Sequence, residues 1–235
     1  MKYVLDAHTH TIASGHAYST IREMATMAKH KGLELLCITE HAPGIPSGPH
    51  EFYFYNLAVV DRNAYDTPLL LGAEVNILDA HGRIDMPPDL LEQMDLVIAS
   101  IHPPCVPFMT KAETTSCLLT IMENPHVHII GHPDDGRYPM DYQELARAAR
   151  DTRTLLEVNN SSLLPTSFRT NARENYIAML QACEQHGTHI ILDSDAHVDT
   201  GVGRRDMSTA LIEEMNFPEE LIVNQSVPLF QTFLQ

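Results

Sequence analysis

A short histidine-rich segment near the amino terminus contains the residues best suited to metal chemistry. The segment Asp6-Ala7-His8-Thr9-His10 follows an apolar run, Tyr3-Val4-Leu5, which predicts a β-strand. Side chains two positions apart on a strand point to the same face, so His8 and His10 can converge on one point. Neutral imidazole nitrogen is a good ligand for zinc, iron or manganese. We therefore predict a divalent metal site here, the alternative being a hydrogen-bonded strand end.

The same pattern, an apolar run ended by a histidine or a carboxylate, recurs along the chain. The candidate metal ligands, which include the histidine of Ser14-Gly15-His16, are His8, His10, His16, His41, Glu74, His102, His132, Asp195 and His197. We take the polar residue that follows each apolar run as a marker of the strand end. These markers are His8, His41, Glu74, His102, His132, Asn159 and Asp195, and successive markers lie 27 to 36 residues apart. This spacing is the length of one strand plus one crossover helix. Catalytic zinc typically has about three protein ligands, so nine donors would serve three ions, or two with richer coordination. Glu74 is the natural bridge between two ions.

Seven apolar runs, each followed by a helical pattern, must position these residues. The predicted strands cover residues 3–5, 33–39, 68–73, 96–101, 127–131, 154–158 and 190–193. Strands that alternate with helices indicate parallel pairing through right-handed crossovers. In a closed α/β barrel the carboxyl ends of the strands meet on one face, where such folds keep their chemistry. We expect one α/β barrel domain spanning residues 1–235, with the candidate ligands gathered at its mouth.

Local signals place the helices between the strands. Asp141 is expected to cap a helix over residues 142–150, with Glu144 as its capping-box partner. Asn171 is expected to begin a longer helix that ends at Gly187.

Charge and cysteine content limit the classes of partner and compartment. The chain has 31 acidic and 15 basic residues and a net charge of −16, which argues against binding long nucleic acids through their phosphates. Small anions remain suitable ligands if metal ions supply local positive charge. The four cysteines show no CxxC spacing, so we expect reduced thiols in a cytoplasmic protein. We find no secretory signal and expect no membrane span.

Seven further histidines fall in predicted helices, loops or strand beginnings. We interpret them as surface or structural residues: His30, His50, His81, His126, His128, His186 and His189. Cys105, close to His102, is interpreted as a bystander, because buried cysteine usually acts as a small hydrophobe.

Taken together, the motifs resemble those of the PHP superfamily (polymerase and histidinol phosphatase) and are closest to its YcdX-like phosphatases. The matching segments are 6–11, 14–19, 38–41, 72–74, 101–102, 130–133, 156–162 and 193–197. The resemblance implies a distorted (β/α)7 barrel with three metal ions, usually zinc and sometimes iron or manganese. This sequence departs from the family pattern at Glu40, where the family usually has Asp. This departure leaves any supporting role of Glu40 in doubt.

The resemblance also implies how the ligands are shared. One ion would be held by His8, His10, Glu74 and Asp195. A second ion would share Glu74 with His102 and His132. A third would be held by His16, His41 and His197.

These features lead to the hypothesis of phosphomonoester hydrolysis on small phosphorylated substrates. The ions would bind phosphate oxygens, lower the pKa of a shared water and present hydroxide in line with the leaving oxygen, so no protein nucleophile is required. Asp6 could orient a ligand histidine or simply satisfy backbone donors, and Asp193 could shuttle a proton or have a structural use. Arg169 could hold a phosphate oxygen, the alternative being a solvated arginine. The aromatic run 52–55 could line a substrate pocket or pack a helix.

Three alternative functions are considered. An amidohydrolase barrel also begins with HxH, but it normally has eight units and a lysine at a strand end, and neither is evident here. A PHP-type nuclease or phosphodiesterase would share the ligands, although the acidic composition disfavours it. A non-enzymatic metal-binding or regulatory domain would keep the metals without turnover. The natural substrate and the oligomeric state are not determined by the sequence, and self-association is open.

Overall fold

The centre of the protein is a sheet of seven parallel strands, seen in a computed structural model that describes residues 2–235. The strands are β1 (Leu5–Asp6), β2 (Leu35–His41), β3 (Leu69–Asn76), β4 (Val97–Ser100), β5 (Ile129–Gly131), β6 (Leu155–Asn159) and β7 (Ile190–Asp193). Each strand pairs in parallel with the next one in the chain, so the sheet order is β1 to β7. The predicted α/β class and the distorted (β/α)7 barrel are confirmed. Strand bounds differ from the predicted ones by up to three residues.

Eight α-helices lie among the described residues. They are α1 (Ile21–His30), α2 (Glu51–Tyr55), α3 (Pro88–Leu91), α4 (Lys111–Met122), α5 (Tyr142–Thr152), α6 (Ala172–His186), α7 (Asp206–Met215) and α8 (Val227–Gln231). The helical pattern expected after every strand is present after β2 and β3 only as short elements: α2 with two 3-10 helices, Asn56–Val59 and Arg62–Ala64, in the first crossover, and α3 in the second. The crossover after β2 contains Pro43, Gly44, Pro46, Gly48 and Pro49 before α2, and these residues disfavour a longer helix there. In the crossover after β3, Pro88 stands at the first position of α3, which suits a helix start.

The inward-facing side chains of the strands change from apolar to polar along the chain direction. On β2, Leu35 and Cys37 belong to an apolar cluster inside the barrel, whereas the following residues of the same face, Thr39 and His41, are polar. The intervening residues, such as Leu36 and Ile38, belong to the core between the sheet and the helices. Because side chains on a strand alternate between its faces, one strand supplies both the barrel core and the polar mouth.

The barrel closes between β1 and β7 through side chains more than through strand pairing. Among residues 2–235 no ladder pairs β1 with β7, and an isolated parallel bridge joins Thr9 with Ala196. Below it, Asn224 accepts a hydrogen bond from Leu192 N at 2.7 Å and donates one to Leu192 O at 2.8 Å. Arg205 donates to the backbone carbonyls of both strands. The carboxy-terminal segment thus supplies hydrogen-bond partners at the seam.

The predicted helix start at Asp141 is confirmed, but the capping box is not. The Asp141 side chain accepts from the backbone amides of Gln143 and Glu144 at 3.1 and 3.3 Å. The backbone amide of Asp141 donates to Thr115 Oγ1 at 2.8 Å, so the donor that Glu144 would have satisfied is bonded to α4 instead.

All four cysteines are free, as expected. Within residues 2–235, none of the helices combines the length and the apolar character that crossing a membrane requires.

Candidate metal centre

All nine candidate ligands meet in one cluster at the carboxyl ends of the strands. Neighbouring imidazole rings lie 4.2–6.0 Å apart between centroids, in a set that links His8, His10, His16, His41, His102, His132 and His197. Asp195 Oδ1 lies 3.3 Å from His10 Nε2 and 3.4 Å from His197 Nδ1. Most of these side chains are buried, and His16 lies exposed at the rim. The parallel register therefore brings together residues that the sequence separates by up to 189 positions.

Glu74 lies at the centre of the cluster and faces it with both carboxylate oxygens. Its Oε2 lies 3.3 Å from His8 Nε2 and 2.7 Å from His41 Nδ1. Its Oε1 lies 2.9 Å from His132 Nε2 and 3.4 Å from His102 Nε2. One oxygen thus faces one group of imidazoles and the other oxygen a second group, which is the arrangement of a carboxylate that bridges two ions.

Four ligand atoms of the cluster are buried and have no partner in hydrogen-bond geometry among residues 2–235, although two of them, His41 Nδ1 and Glu74 Oε2, lie 2.7 Å apart. They are His8 Nε2, His10 Nε2, His41 Nδ1 and Glu74 Oε2. Buried polar atoms without partners are costly and therefore uncommon in folded proteins, whereas these atoms are all good metal donors. Three sets of donor atoms lie within 4.8 Å of one another: His10 with His41 and His197, His8 with His10 and Glu74, and His41 with Glu74 and His102. The residues therefore fit divalent ions such as zinc, iron or manganese.

A second layer of hydrogen bonds fixes the imidazoles from behind. Glu157 Oε1 lies 2.7 Å from His8 Nδ1, and Glu157 Oε2 accepts from the backbone amide of His132 at 2.6 Å. Asn76 Oδ1 lies 2.7 Å from His102 Nδ1. Such partners set the ring orientation and leave the other nitrogen directed into the cluster, where it could bind a metal ion. Neither Glu157 nor Asn76 was assigned a role from the sequence. A lone carboxylate in the apolar strand LLEVN was the available signal, because a buried charge requires a partner.

Glu40 also supports the cluster, although it replaces the Asp usual in the family. Its Oε2 accepts from Ser14 Oγ at 2.5 Å, and Ser14 Oγ lies 3.2 Å from His10 Nδ1. The backbone amide of Thr11 donates to the same carboxylate at 3.0 Å. The longer Glu side chain thus reaches His10 through Ser14.

The charges of the cluster are strongly coupled. Burial raises the pKa of Glu74, but the imidazoles of His8 and His41 outweigh it and hold that pKa well below its usual range. The pKa of Asp195 is likewise held low against burial, chiefly by His8 and His10. Burial and the neighbouring His41 lower the pKa of His10 well below 6.5. Burial lowers the pKa of His8, but Glu157 and Glu74 outweigh it and raise that pKa well above 6.5. The cluster thus favours ionised carboxylates and a neutral His10, as metal binding requires, whereas a metal ion would have to displace a proton from His8.

Two of the candidate ligands have left-handed backbone conformations. His132 has a φ of 31° and Asp195 a φ of 52°. Residues other than glycine pay an energetic penalty in this region and retain it where the surrounding structure imposes it, often at functional sites. Each residue is the turning point where a strand end bends into the mouth of the barrel.

Asp6 and Asp193 bond to the backbone of each other's strand end. Asp6 accepts from the backbone amide of Ser194 at 3.1 Å, and Asp193 accepts from the backbone amide of Ala7 at 2.8 Å. Asp6 also accepts from the backbone amide of Gly203 at 2.7 Å. These contacts match the backbone-satisfying role considered for Asp6. Burial and the nearby Asp6 raise the pKa of Asp193 well above its usual range.

A cavity of about 530 Å³ opens above the cluster. Its lining includes the candidate ligands His16, His41, His102, His132, Asp195 and His197. Arg169 lines this cavity, where its Nη1 donates to Ser162 Oγ at 2.8 Å and lies 4.0 Å from Asp195 Oδ2. Its side chain is only 9% exposed, so it is not a solvated arginine.

Other residues considered from the sequence lie away from the cavity. Neither Asp6 nor Asp193 lines it. The aromatic run forms α2, and Phe52, Tyr53 and Tyr55 line a separate surface groove. Cys105 donates to Gly44 O at 3.4 Å and does not line the cavity. None of the seven remaining histidines belongs to a possible metal group in the described part of the chain.

Comparison with known proteins agrees with this geometry. The family model for the PHP domain matches residues 6–215. This chain belongs to the PHP domain family. A probable phosphatase of Clostridium novyi is 43% identical over 235 residues, covering 100% of this chain and 96% of that protein. A probable phosphatase of Caldanaerobacter subterraneus subsp. tengcongensis is 44% identical, covering 100% of this chain and 92% of that protein. These relatives support the expectation of a hydrolase.

A solved structure shares the fold of this PHP chain. The histidinol phosphate phosphatase of Lactococcus lactis, complexed with zinc, L-histidinol and phosphate, superposes with a TM-score of 0.60 at 20% sequence identity. The match covers 92% of this chain and 95% of that one. At this identity the likeness establishes the fold.

Proposed function

We propose that this protein is a metal-dependent phosphatase that hydrolyses small phosphomonoesters at the nine-residue cluster. The observation that carries the proposal is the convergence of seven imidazoles and two carboxylates, with Glu74 at the centre and four buried donor atoms without hydrogen-bond partners. The whole-length likeness to probable phosphatases supports the reaction class.

The proposed centre holds three divalent ions, most simply zinc. His8, His10, Glu74 and Asp195 would hold one; Glu74, His102 and His132 a second; and His16, His41 and His197 a third. When bound, such ions supply charge to the phosphate oxygens and lower the pKa of an attacking water toward neutrality. The two oxygens of the Glu74 carboxylate face different imidazoles, which supports the role of Glu74 as the residue shared between ions.

The protein's own residues have three tasks in this scheme. Glu157 and Asn76 hold the imidazoles of His8 and His102 in the orientation that aims Nε2 at the ions. Arg169 holds a phosphate oxygen from the cavity wall, because it is buried, fixed by Ser162 and adjacent to Asp195. Asp6 and Asp193, which lie off the cavity, keep the two strand ends in register. We also propose the cytoplasmic location that the free thiols suggest.

The proposal is tested with purified protein loaded with zinc, iron or manganese. Elemental analysis is expected to give three ions per chain, and the loaded protein should release phosphate from p-nitrophenyl phosphate. A chelator should abolish this release, and the metal should restore it. Phosphate release that survives complete metal removal would refute the scheme.

Two further arms distinguish the alternatives and the role of Arg169. Bis-p-nitrophenyl phosphate, single-stranded DNA and amides test the diesterase, nuclease and amidohydrolase functions on the same sample. Arg169→Gln should lower kcat/KM for p-nitrophenyl phosphate roughly tenfold to hundredfold, since a charge-assisted hydrogen bond is lost. Arg173→Gln is the matched control, because Arg173 pairs with Glu214 on the surface and does not line the cavity. Turnover of none of these substrates by protein that binds metal would favour a regulatory domain.

A further inference from the structure

The wall of the cavity carries a second arginine that the proposed reaction does not use. Of the charged residues that line the cavity, other than the histidines, two are cationic and one is anionic: Arg137, Arg169 and Asp195. Asp195 is a proposed metal ligand. A chain of net charge −16 therefore presents two guanidinium groups to its own cavity. In the proposed reaction, Arg169 binds the phosphate group that is hydrolysed. Arg137 therefore remains able to bind another anion.

Asp135 holds Arg137 in place by one edge. Arg137 Nε donates to both Asp135 oxygens at 2.9 Å, and Nη2 donates to the same carboxylate. Asp135 also accepts from the backbone amide of Arg137 at 3.1 Å. Among residues 2–235, no acceptor is bonded to Nη1. A guanidinium anchored by one edge is preorganised to bind a planar pair of oxygens with the remaining N–H groups.

Phe168 connects the two arginines. The guanidinium carbons of Arg137 and Arg169 each lie 5.5 Å from the centroid of the Phe168 ring. The ring itself is 68% exposed, although it belongs to the cavity lining. The two guanidinium groups thus lie against one aromatic ring, and the same cavity lining also includes the apolar side chains of Ile45 and Leu164.

The exposed fractions of the two arginine side chains indicate that Arg169 lies deeper in the cavity than Arg137. The side chain of Arg169 is 9% exposed and lies 4.0 Å from Asp195, at the floor. The side chain of Arg137 is 28% exposed, toward the rim. A volume of about 530 Å³ is far larger than one phosphate group requires and is typical of a pocket for a small organic ligand.

We propose that Arg137 binds a second anionic group on the substrate, at the end remote from the phosphate that is hydrolysed. The substrate class is then a small phosphomonoester with a compact, partly apolar body that carries a carboxylate or a second phosphoryl group. The body covers Phe168, and the second anion pairs with the outer edge of Arg137. This inference rests on the proposed phosphatase function and adds to it a determinant of substrate choice.

The test compares ligands that differ only in the second anion. Metal-loaded protein is titrated by calorimetry with phosphonoacetate, 3-phosphonopropionate and 4-phosphonobutyrate, each paired with the alkylphosphonate of equal carbon number. 1,2-Ethylenediphosphonate distinguishes a second phosphoryl group from a carboxylate, and bound metal is measured after each titration. We expect at least one ligand with two anions to bind the natural protein roughly tenfold to hundredfold more tightly than its partner with one anion.

Variants assign the preference to Arg137. In Arg137→Gln the ratio of the two affinities should fall to near one, and in Arg137→Lys it should be intermediate, because lysine keeps the charge without the paired donors. Arg173→Gln should retain the full ratio. Equal binding of both ligand types by the natural protein at every chain length would overturn the proposal. A ratio unchanged in Arg137→Gln would overturn it as well.

Failure of the second-anion site is distinguishable from failure of the phosphatase proposal. If alkylphosphonates bind and p-nitrophenyl phosphate is hydrolysed but no ligand shows a preference, only the role of Arg137 is wrong. If metal-loaded protein neither binds alkylphosphonates nor hydrolyses p-nitrophenyl phosphate, both proposals are wrong.

Discussion

Replacement of Glu157 by glutamine should weaken metal binding although Glu157 is not itself a proposed metal ligand. Glu157 has a fully buried side chain, and its carboxylate accepts from three donors. Oε1 bonds His8 Nδ1 at 2.7 Å, and Oε2 bonds the backbone amide of His132 at 2.6 Å and Asn159 Nδ2 at 3.3 Å. A carboxylate can only accept, so Nδ1 of His8 carries the proton and Nε2 is left as the metal donor when the ring is neutral.

Glutamine has one accepting oxygen and therefore cannot satisfy both sides. If its amide nitrogen faces His8, the ring must accept at Nδ1 and carry its proton on Nε2, where it can no longer bind metal. If its amide nitrogen faces His132, two donors oppose each other and a buried backbone amide loses its partner, at a cost of about 1–3 kcal/mol. Either arrangement should lower metal affinity roughly tenfold to hundredfold, which corresponds to about 1.4–2.7 kcal/mol.

The assay is competition for zinc between the protein and a chromogenic chelator, combined with elemental analysis of bound ions. Glu184→Gln on the exposed face of α6 is the matched control and should bind zinc like the natural protein. Circular dichroism establishes that Glu157→Gln is folded. A folded Glu157→Gln protein with unchanged zinc affinity and ion count would show that His8 does not depend on this hydrogen bond, and the reasoning would be refuted.

Two further predictions concern stability. Burial lowers the pKa of His128 from 6.5 to about 4, and its Nδ1 accepts a hydrogen bond from Val97 N at 3.1 Å. The unfolded chain therefore binds the proton more strongly than the folded protein. The free energy of unfolding should fall as the pH drops from 6.5 toward 4. In urea titrations, His128→Asn should reduce the loss of unfolding free energy between pH 7 and 5 by about 2 kcal/mol, whereas the control variant His81→Asn should not. Equal losses in the natural protein and both variants would contradict this prediction. In Gly72→Ala, the new Cβ would lie 2.0 Å from the carbonyl oxygen of Leu96, the residue just before β4, so the unfolding free energy should fall by about 1–3 kcal/mol. Unchanged thermal and urea denaturation of that variant would contradict the close strand approach.

Much of the fold and the candidate ligand set could be predicted from local sequence. An apolar run predicts a strand, and the polar residues that follow it predict the strand end. Residues such as His41 and Glu74 could therefore be placed at strand ends without a structure. Parallel pairing then requires all strand ends to lie on one face. That requirement predicted one cluster, and the structure places all nine residues there.

The supporting residues could not be predicted, because their partners are distant in sequence. Glu157 bonds a histidine 149 residues away, and nothing in its own strand specifies which one. Asp6 and Asp193 were considered from the sequence for chemistry, but their contacts were decided by the seam between β1 and β7. Arg137 gave no signal at all, since its importance comes from facing the same cavity as Arg169.

The sequence by itself determined the order of the strands, the polar residue at the end of each, and the residue types available for metal binding. These properties depend on the period of a strand and on chain direction, which are local. The tertiary structure alone decided which oxygen faces which imidazole, how the barrel closes, and which arginines share the cavity. These properties depend on register, curvature and long-range side-chain contacts, which form only when the whole sheet is assembled.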